Sequence, residues 1–575
     1  MCARRRRRSV AAMATTKLAK ALDRVQKIAD IPSPCVKLVI GCPYVRIGYR
    51  QDRTMPLTVK ELIVVLVLSV PVFHFGRPLA ISFMSEEDFS RRRKVWYALT
   101  CAAFLSPNFW ICALCAAAVL SAAAKRDTNP PALFLFVLHA IPPASQPLPM
   151  IGISYLFDVD TNFLLSVCVL APTAIRLARA SSEPRYRRLR IPDLALAAYG
   201  ILTSVLYARL QDPSGGLYPA TFTDCLRRCF VFFLAIFVPY YVMSRVTVNR
   251  RRLAETMAAF CFSGALMATT AMFESVRQWL LYPEVIQFWG ISSSTTYVMR
   301  GDSLRAMASS GHPLALGYLL AIAFGFWLAL QTRVASPGHR IGVSILLWLG
   351  LLAAYSRGPW IGAVVIYFLF AVLSPQGIRK VLQAAVLSAG ILAVISLTPL
   401  AERIVRVLPF MGGTVDSGNI EYRQRLFERS WSIIEQSPLL GDQAARLKMQ
   451  DLRQGEGIID MINTYMQILL DNGFVGLSLF LTFILVAASR ALQERKRLAK
   501  RNPAASQIGA SLVACTVGTL IMIESGGCDR VMISVLVGLM SAYILQPVDK
   551  SARRPHTRQA TASLPTPHSA RRLDT

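Results

Sequence analysis

The chain has 575 residues, 54% of them hydrophobic, with 63 Lys+Arg against 33 Asp+Glu and a net charge of +30. Apolar runs of about 20 residues, long enough to cross a hydrocarbon core roughly 30 Å thick, recur along it and exclude a soluble domain. The basic residues fall in short loops between those runs, where they act as topology signals, so nucleic acid is excluded as their partner.

The expected fold is all-α, a polytopic transmembrane helical bundle of about 12–14 spans. Residues 1–56 read as a basic cytoplasmic segment; Arg4–Arg8 open it, but no apolar core follows, so it is not a cleaved signal peptide. The membrane domain runs over 57–546, with spans near 60–78, 96–123, 131–142, 162–178, 191–210, 225–243, 257–281, 312–330, 341–355, 359–374, 380–398, 464–488, 507–525 and 530–546. Segment 96–123 reads as one long helix or as a short hairpin about Ser106-Pro107-Asn108. Residues 547–575, rich in Arg, Ser, Thr and Pro, read as a disordered cytoplasmic tail. Most of the 12 cysteines lie inside spans, and Cys112-Ala-Leu-Cys115 reads as small buried hydrophobes rather than a metal or redox pair.

Orientation follows from the arginines. The loops 176–190, 245–252, 331–340, 376–380 and 490–501 are basic, and placing all five on the cytoplasmic side is self-consistent. Arg91-Arg-Arg-Lys94 disagrees if 96–123 is a single helix. This orientation puts 283–311, Tyr355–Gly358, the long loop 399–463 and Gly526–Asp529 on the outer face. A loop of that length in a compact protein is usually functional. Within it, Ile420–Gln436 reads as an amphipathic helix across the mouth of the bundle. Ile420, Leu426, Phe427, Trp431, Ile433 and Ile434 share one broad stripe, and Glu421, Arg425, Glu428 and Glu435 lie opposite. Arg423 falls on the apolar stripe, where an isolated cation is unfavourable unless it snorkels or pairs.

Four outer cations stand at span ends. Arg357 precedes Gly358-Pro359, and Pro359 suits a helix start. A planar guanidinium beside free helix amides and a positive dipole end is an anion clamp. Arg300 and Arg305 flank Asp302, and His312 stands before a span with a pKa usable for acid or base work. Asp416, Glu421, Asp442 and Asp460 are the outer carboxylates available as a base, and none is singled out by spacing. No DxD pair or ligand cluster with metal spacing occurs on the outer loops, so neither metal nor other cofactor is expected.

Three motifs together resemble one family. Ser356-Arg-Gly-Pro-Trp360 is similar to the Ser-Arg-Gly-x-Trp segment of the O-antigen ligase and Wzy-type polysaccharide polymerase superfamily. Arg423–Gly441 resembles its Arg…Trp…Pro-Leu-Leu-Gly segment, with the family arginine on Arg423. Ile462-Asn-Thr-Tyr-Met-Gln467 through Asn472-Gly-Phe-Val-Gly476 resembles its His-Asn-x-Tyr-Leu-Gln…Gly-x-x-Gly segment. The family histidine falls on Ile462, a departure that weakens a ligase assignment, while Asn463 remains able to hydrogen-bond a sugar. The resemblance covers about residues 220–490.

It implies a GT-C-like inverting glycosyltransferase of the bacterial inner membrane, with both termini cytoplasmic. The donor would be a glycan on undecaprenyl diphosphate at the periplasmic face, and other polysaccharide assembly proteins would be further partners. Arg357, Arg423 and His312 would be catalytic, and Arg300, Arg305, Asn463 and Arg425 would bind substrate. A polymerase of exopolysaccharide or O-antigen repeat units is preferred to a ligase acting on lipid A core or protein. A transporter of lipid-linked glycan is the reading from another class. It calls for internal repeats and midplane charges, and no repeat is visible.

Overall fold

The computed structural model describes residues 57–150, 155–179, 184–210, 221–291, 299–300, 303–374, 377, 379, 382, 417–453, 459–461, 463–524, 526 and 530–546. Residues 1–56 and 547–575, and nearly all of the expected span 380–398, lie outside them. Among the described residues eight helices are long and apolar enough to cross a membrane, and four shorter apolar helices accompany them. The protein is an all-α polytopic helical membrane protein, with two small β-hairpins among the described residues.

In chain order the helices are α1 Leu57–Ile81, α2 Glu86–Leu105, α3 Phe109–Ala124, α4 Pro130–Val137, α5 Thr161–Arg179, α6 Arg190–Leu206, α7 Phe222–Val246, α8 Arg250–Arg277, α10 Pro313–Leu330 after the short α9 Pro283–Phe288, α11 Pro337–Ala353, α12 Arg357–Leu373, α13 Ser417–Gln436, α14 Thr464–Ala499, α15 Pro503–Met522 and α16 Arg530–Ile544. Two antiparallel hairpins interrupt them: β1 Ser145–Pro147 with β2 Asp158–Asp160, and β3 Met299–Arg300 with β4 Ser303–Leu304.

Helix α10 is the axis of the bundle. It is apolar on every side, the mark of a helix surrounded by protein, and every residue from Leu316 to Leu330 is buried. It packs on α8, α11, α12 and α15. Small residues let these backbones close: a Cβ on Gly317 would stand 2.6 Å from Pro359 of α12.

One face of the bundle carries the basic loops. Arg490 donates to the carbonyl of Arg188, Arg495 to that of Leu373, and Arg250 to Gln546, while Arg245 pairs with Asp193 at 2.6 Å. Segment 96–123 is two helices. Asn108 caps α3 and the chain turns at Ser106-Pro107, so the long-helix alternative is wrong and Arg91–Lys94 joins the basic face. There Arg92, fully buried, donates to both oxygens of Asp127 at 2.7 and 2.8 Å and reaches Glu255 at 2.7 Å. A buried guanidinium needs such pairing, because desolvation alone costs several kcal/mol per ion. The expected span 131–142 is shorter than a crossing: α4 stops at Val137.

The same parity places the start of α1 on the far face, where buried Glu61 stands near Glu274, which disagrees with the cytoplasmic side expected for the preceding residues 1–56.

Candidate active site

The far face gathers the helix ends that matter. The chain enters it along α8, whose buried Glu274 has no oppositely charged partner among the described residues and is used instead as a backbone acceptor. One of its oxygens takes the amides of Met307 at 2.9 Å and Ala308 at 2.8 Å, and the other takes that of Leu281 at 3.1 Å. The Leu304 amide donates to the Gln278 side-chain oxygen at 2.9 Å. The strand β4 is thereby pinned above α8, and Ala306 bonds on to Ala353 at the end of α11.

Three non-glycine residues hold positive φ in the described chain: Gln278 at 53°, Ala308 at 46° and Tyr355 at 45°. All three border this site. Such conformations cost of order 1–3 kcal/mol each and persist where the surroundings over-determine them. Glu274 does so for Ala308. We expect Glu274→Ala to lower the thermal unfolding midpoint of the full chain in detergent, followed by tryptophan fluorescence, because three buried donors lose their acceptor at about 1–3 kcal/mol each. Glu274→Gln, which keeps one acceptor oxygen, is expected between; an unchanged midpoint in the alanine variant would show that the loops hold themselves.

The pinned segment delivers Arg305, which donates to Ser356 Oγ at 2.8 Å. Ser356 in turn donates to the Ala354 carbonyl, so it gives α12 no side-chain cap. The helix begins at Arg357, two residues before Pro359, the residue expected to mark its start. Arg357 is half-buried, and its buried Nε has no hydrogen-bond partner among the described residues. Trp360 closes the turn by donating to the Leu351 carbonyl at 2.9 Å.

His312 and Asn463 are caps. His312 Nδ1 accepts from the Leu314 amide at 3.2 Å, which leaves the ring proton on Nε2. Burial first, and then the Arg305 charge, push its pKa down to about 4, so the ring is neutral at pH 7. The Nδ1 lone pair is thus used to cap α10. Asn463 Oδ1 accepts from Tyr465 and Met466 at 2.9 and 3.1 Å, so only its amide NH2 remains for a ligand.

Helix α13 lies beside the start of α14. Its seat is narrower than the expected stripe: Leu426, Ile433 and Ile434 are buried against Met449, Met461 and Leu470. Phe427 and Trp431, expected to face the same way, are 56% and 41% exposed and stack on each other at 6.2 Å. Arg423, one turn before Phe427, is exposed too. Arg423 also faces Asp460, whose carboxyl burial raises and Arg423 lowers. Arg425 pairs with Glu421 at 2.7 Å on the solvent side, and Asp442 pairs with Lys448 at 2.6 Å.

A splice joins α13 to α14. At Gly473, φ +63°, α14 breaks, and the loop Pro438–Gly441 fills the gap. Phe474 donates to Pro438 O at 2.8 Å, Val475 to Leu439 O at 3.1 Å, and Asp442 to Leu470 O at 2.6 Å. A side chain on Gly473 would collide with the backbone of Leu439 and Leu440, and Gly441, φ +66°, lies against the Asn472–Gly473 backbone. The start of α14 bonds to the end of α15, Thr464 N to Ile523 O at 3.0 Å, and α15 to α10, Tyr318 hydroxyl to Met522 O at 2.6 Å. The Arg305–Arg357 corner and the Arg423 helix therefore belong to one connected face.

The side chain of Arg300, together with Asp302, Asp416 and Ile462, lies outside the described residues. Sequence reasoning missed Glu274 and Tyr355. The signal for Glu274 was an acidic residue within an apolar span, which is costly unless it is used.

No curated protein matches this chain. A family model described as O-antigen ligase, Wzy_C, matches residues 342–481, the part that carries Arg357, Arg423, Asn463 and both glycines of the splice. The match spans 140 of the 575 residues and supports a domain of O-antigen ligase/Wzy type there.

Proposed function

We propose that this protein is an inverting glycosyltransferase that uses a glycan on undecaprenyl diphosphate and polymerises its repeat units. The observation that carries the reading is Arg357. Its partly unpartnered guanidinium stands at the uncapped start of α12, and Arg305 is held one residue away through Ser356. Transfer breaks the bond between the anomeric carbon and the diphosphate, and negative charge grows on the leaving oxygen. Cations and amides fixed in advance stabilise that charge. With the basic face in the cytoplasm, the site lies at the periplasmic surface of the inner membrane, where lipid-linked repeat units wait.

The family description favours a second reading, a ligase that moves finished glycan to lipid A core or protein. Deleting the gene separates the two. A polymerase leaves single repeat units on the lipid carrier; a ligase leaves long chains on it. Unchanged surface glycan and unchanged carrier would overturn both.

A further inference from the structure

A cavity of about 340 Å³ opens on the far face beside the Arg305–His312 segment. It lies between the chain that leaves α4, the β2–α5 junction and the start of α10. Its polar lining includes His139, Asp160, Thr161, Asn162, Ser309 and Ser310, over an apolar floor that includes Ile141 and Leu319. That size is within the range of small-molecule sites, and an apolar floor with converging polar groups is their usual character.

The lining is ordered by its own bonds. Ser309 donates to His139 O at 2.7 Å and also bonds Tyr282, and Ser310 donates to Met307 O at 2.6 Å, so the Ser310 oxygen keeps a lone pair for a donor. Thr161 ties the two walls by donating to Pro142 O at 3.1 Å. Asp160 caps α5, its Oδ1 accepting from Phe163 N at 2.7 Å, which fixes the carboxylate at the cavity wall. Asp158 stands near it, and among the described residues no guanidinium or ammonium group lines the cavity. The site therefore suits a polyhydroxylated neutral molecule and repels a diphosphate. It also adjoins a place built for a diphosphate: Ser310 and His312, whose ring feels the Arg305 charge, are two residues apart.

We propose that this cavity holds the acceptor sugar and that the Asp160 carboxylate takes the proton of its attacking hydroxyl. The inference rests on the glycosyl-transfer reading above. In the step, the acceptor oxygen bonds to the anomeric carbon, its proton passes to Asp160, and the anomeric C–O bond to phosphate breaks. The diphosphate leaves with the electron pair, stabilised at Arg357. Burial above all holds the Asp160 carboxyl above the usual range, which makes the carboxylate a better base than an exposed one.

The test uses the full chain in lipid nanodiscs, with undecaprenyl-diphosphate-linked repeat unit extracted from the deletion strain. Binding of radiolabelled repeat unit and growth of polymer are measured separately. Asp160→Asn preserves the cap, since asparagine caps as well as aspartate. It is expected to bind donor within about threefold of wild type while polymer growth falls by about 10²–10⁴. Ala315→Phe, which fills the cavity from α10, is expected to bind donor and make no polymer. Wild-type growth in Asp160→Asn, or loss of donor binding in it, would overturn the assignment of Asp160. Normal growth in Ala315→Phe would overturn the cavity. If the wild-type protein neither binds nor elongates the donor, the transfer reading fails first.

Discussion

Arg357→Ala is expected to abolish polymer formation while the protein accumulates in the membrane at the wild-type level. The side chain is half-buried and its Nε serves no intramolecular bond among the described residues, so its loss leaves no internal partner stranded at that atom. Removal of one charge-stabilising donor from an active site costs about 10²–10³ in kcat. Here the arginine also closes a corner whose α12 amides lack a side-chain cap. Arg357→Lys restores the charge without the planar fork and is expected between the two. The measurement is glycan chain length in a complemented deletion strain, with membrane levels by immunoblot. Full-length glycan from the alanine variant would remove the anion clamp from the mechanism.

Arg423→Ala is expected to lose polymer as severely, and Arg425→Ala to stay near wild type. Both are exposed arginines on one helix, which makes the pair a stringent comparison. Arg425 spends its charge on Glu421 at the solvent side, a surface pair worth about 0–1 kcal/mol. Arg423 shares its side of the helix with Phe427 and Trp431 and faces Asp460, close to the Asn463 cap of α14. Polymer length in the same strain reads the difference. Equal losses from both variants would mean that the helix as a whole, and not one side of it, meets the substrate.

The bundle was legible because its apolar runs match a bilayer and its arginines mark one face. The turn at Ser106–Asn108 was open from sequence, since an apolar run is compatible with one helix or two. It is settled by Arg92, which needs Asp127 and Glu255 around it and so cannot lie far from the start of α8. Arg357 was legible from its place at a helix start. The cap at His312 was harder to see, because a histidine before a helix is compatible with a cap or an acid, and the bond from Leu314 N is what shows the cap. The helical period gives α13 a stripe wider than its seat, because a wheel knows angles and not the width of the neighbouring surface, and Phe427 and Trp431 lie outside that seat. Asp160 was invisible: its importance depends on Ser309 and Ser310, about 150 residues away, which no periodicity connects.

The splice at Gly473 also bears on how the long loop can be engineered. A tag or protease site placed within 438–441 would force the broken turn of α14 to release its surrogate carbonyls, and Phe474 and Val475 would lose their acceptors. Gly441 and Gly473 thus act as a fixed datum from which the reach of Arg423 is set. Attachment points for labels on α13 should be chosen on either side of that datum and never across it.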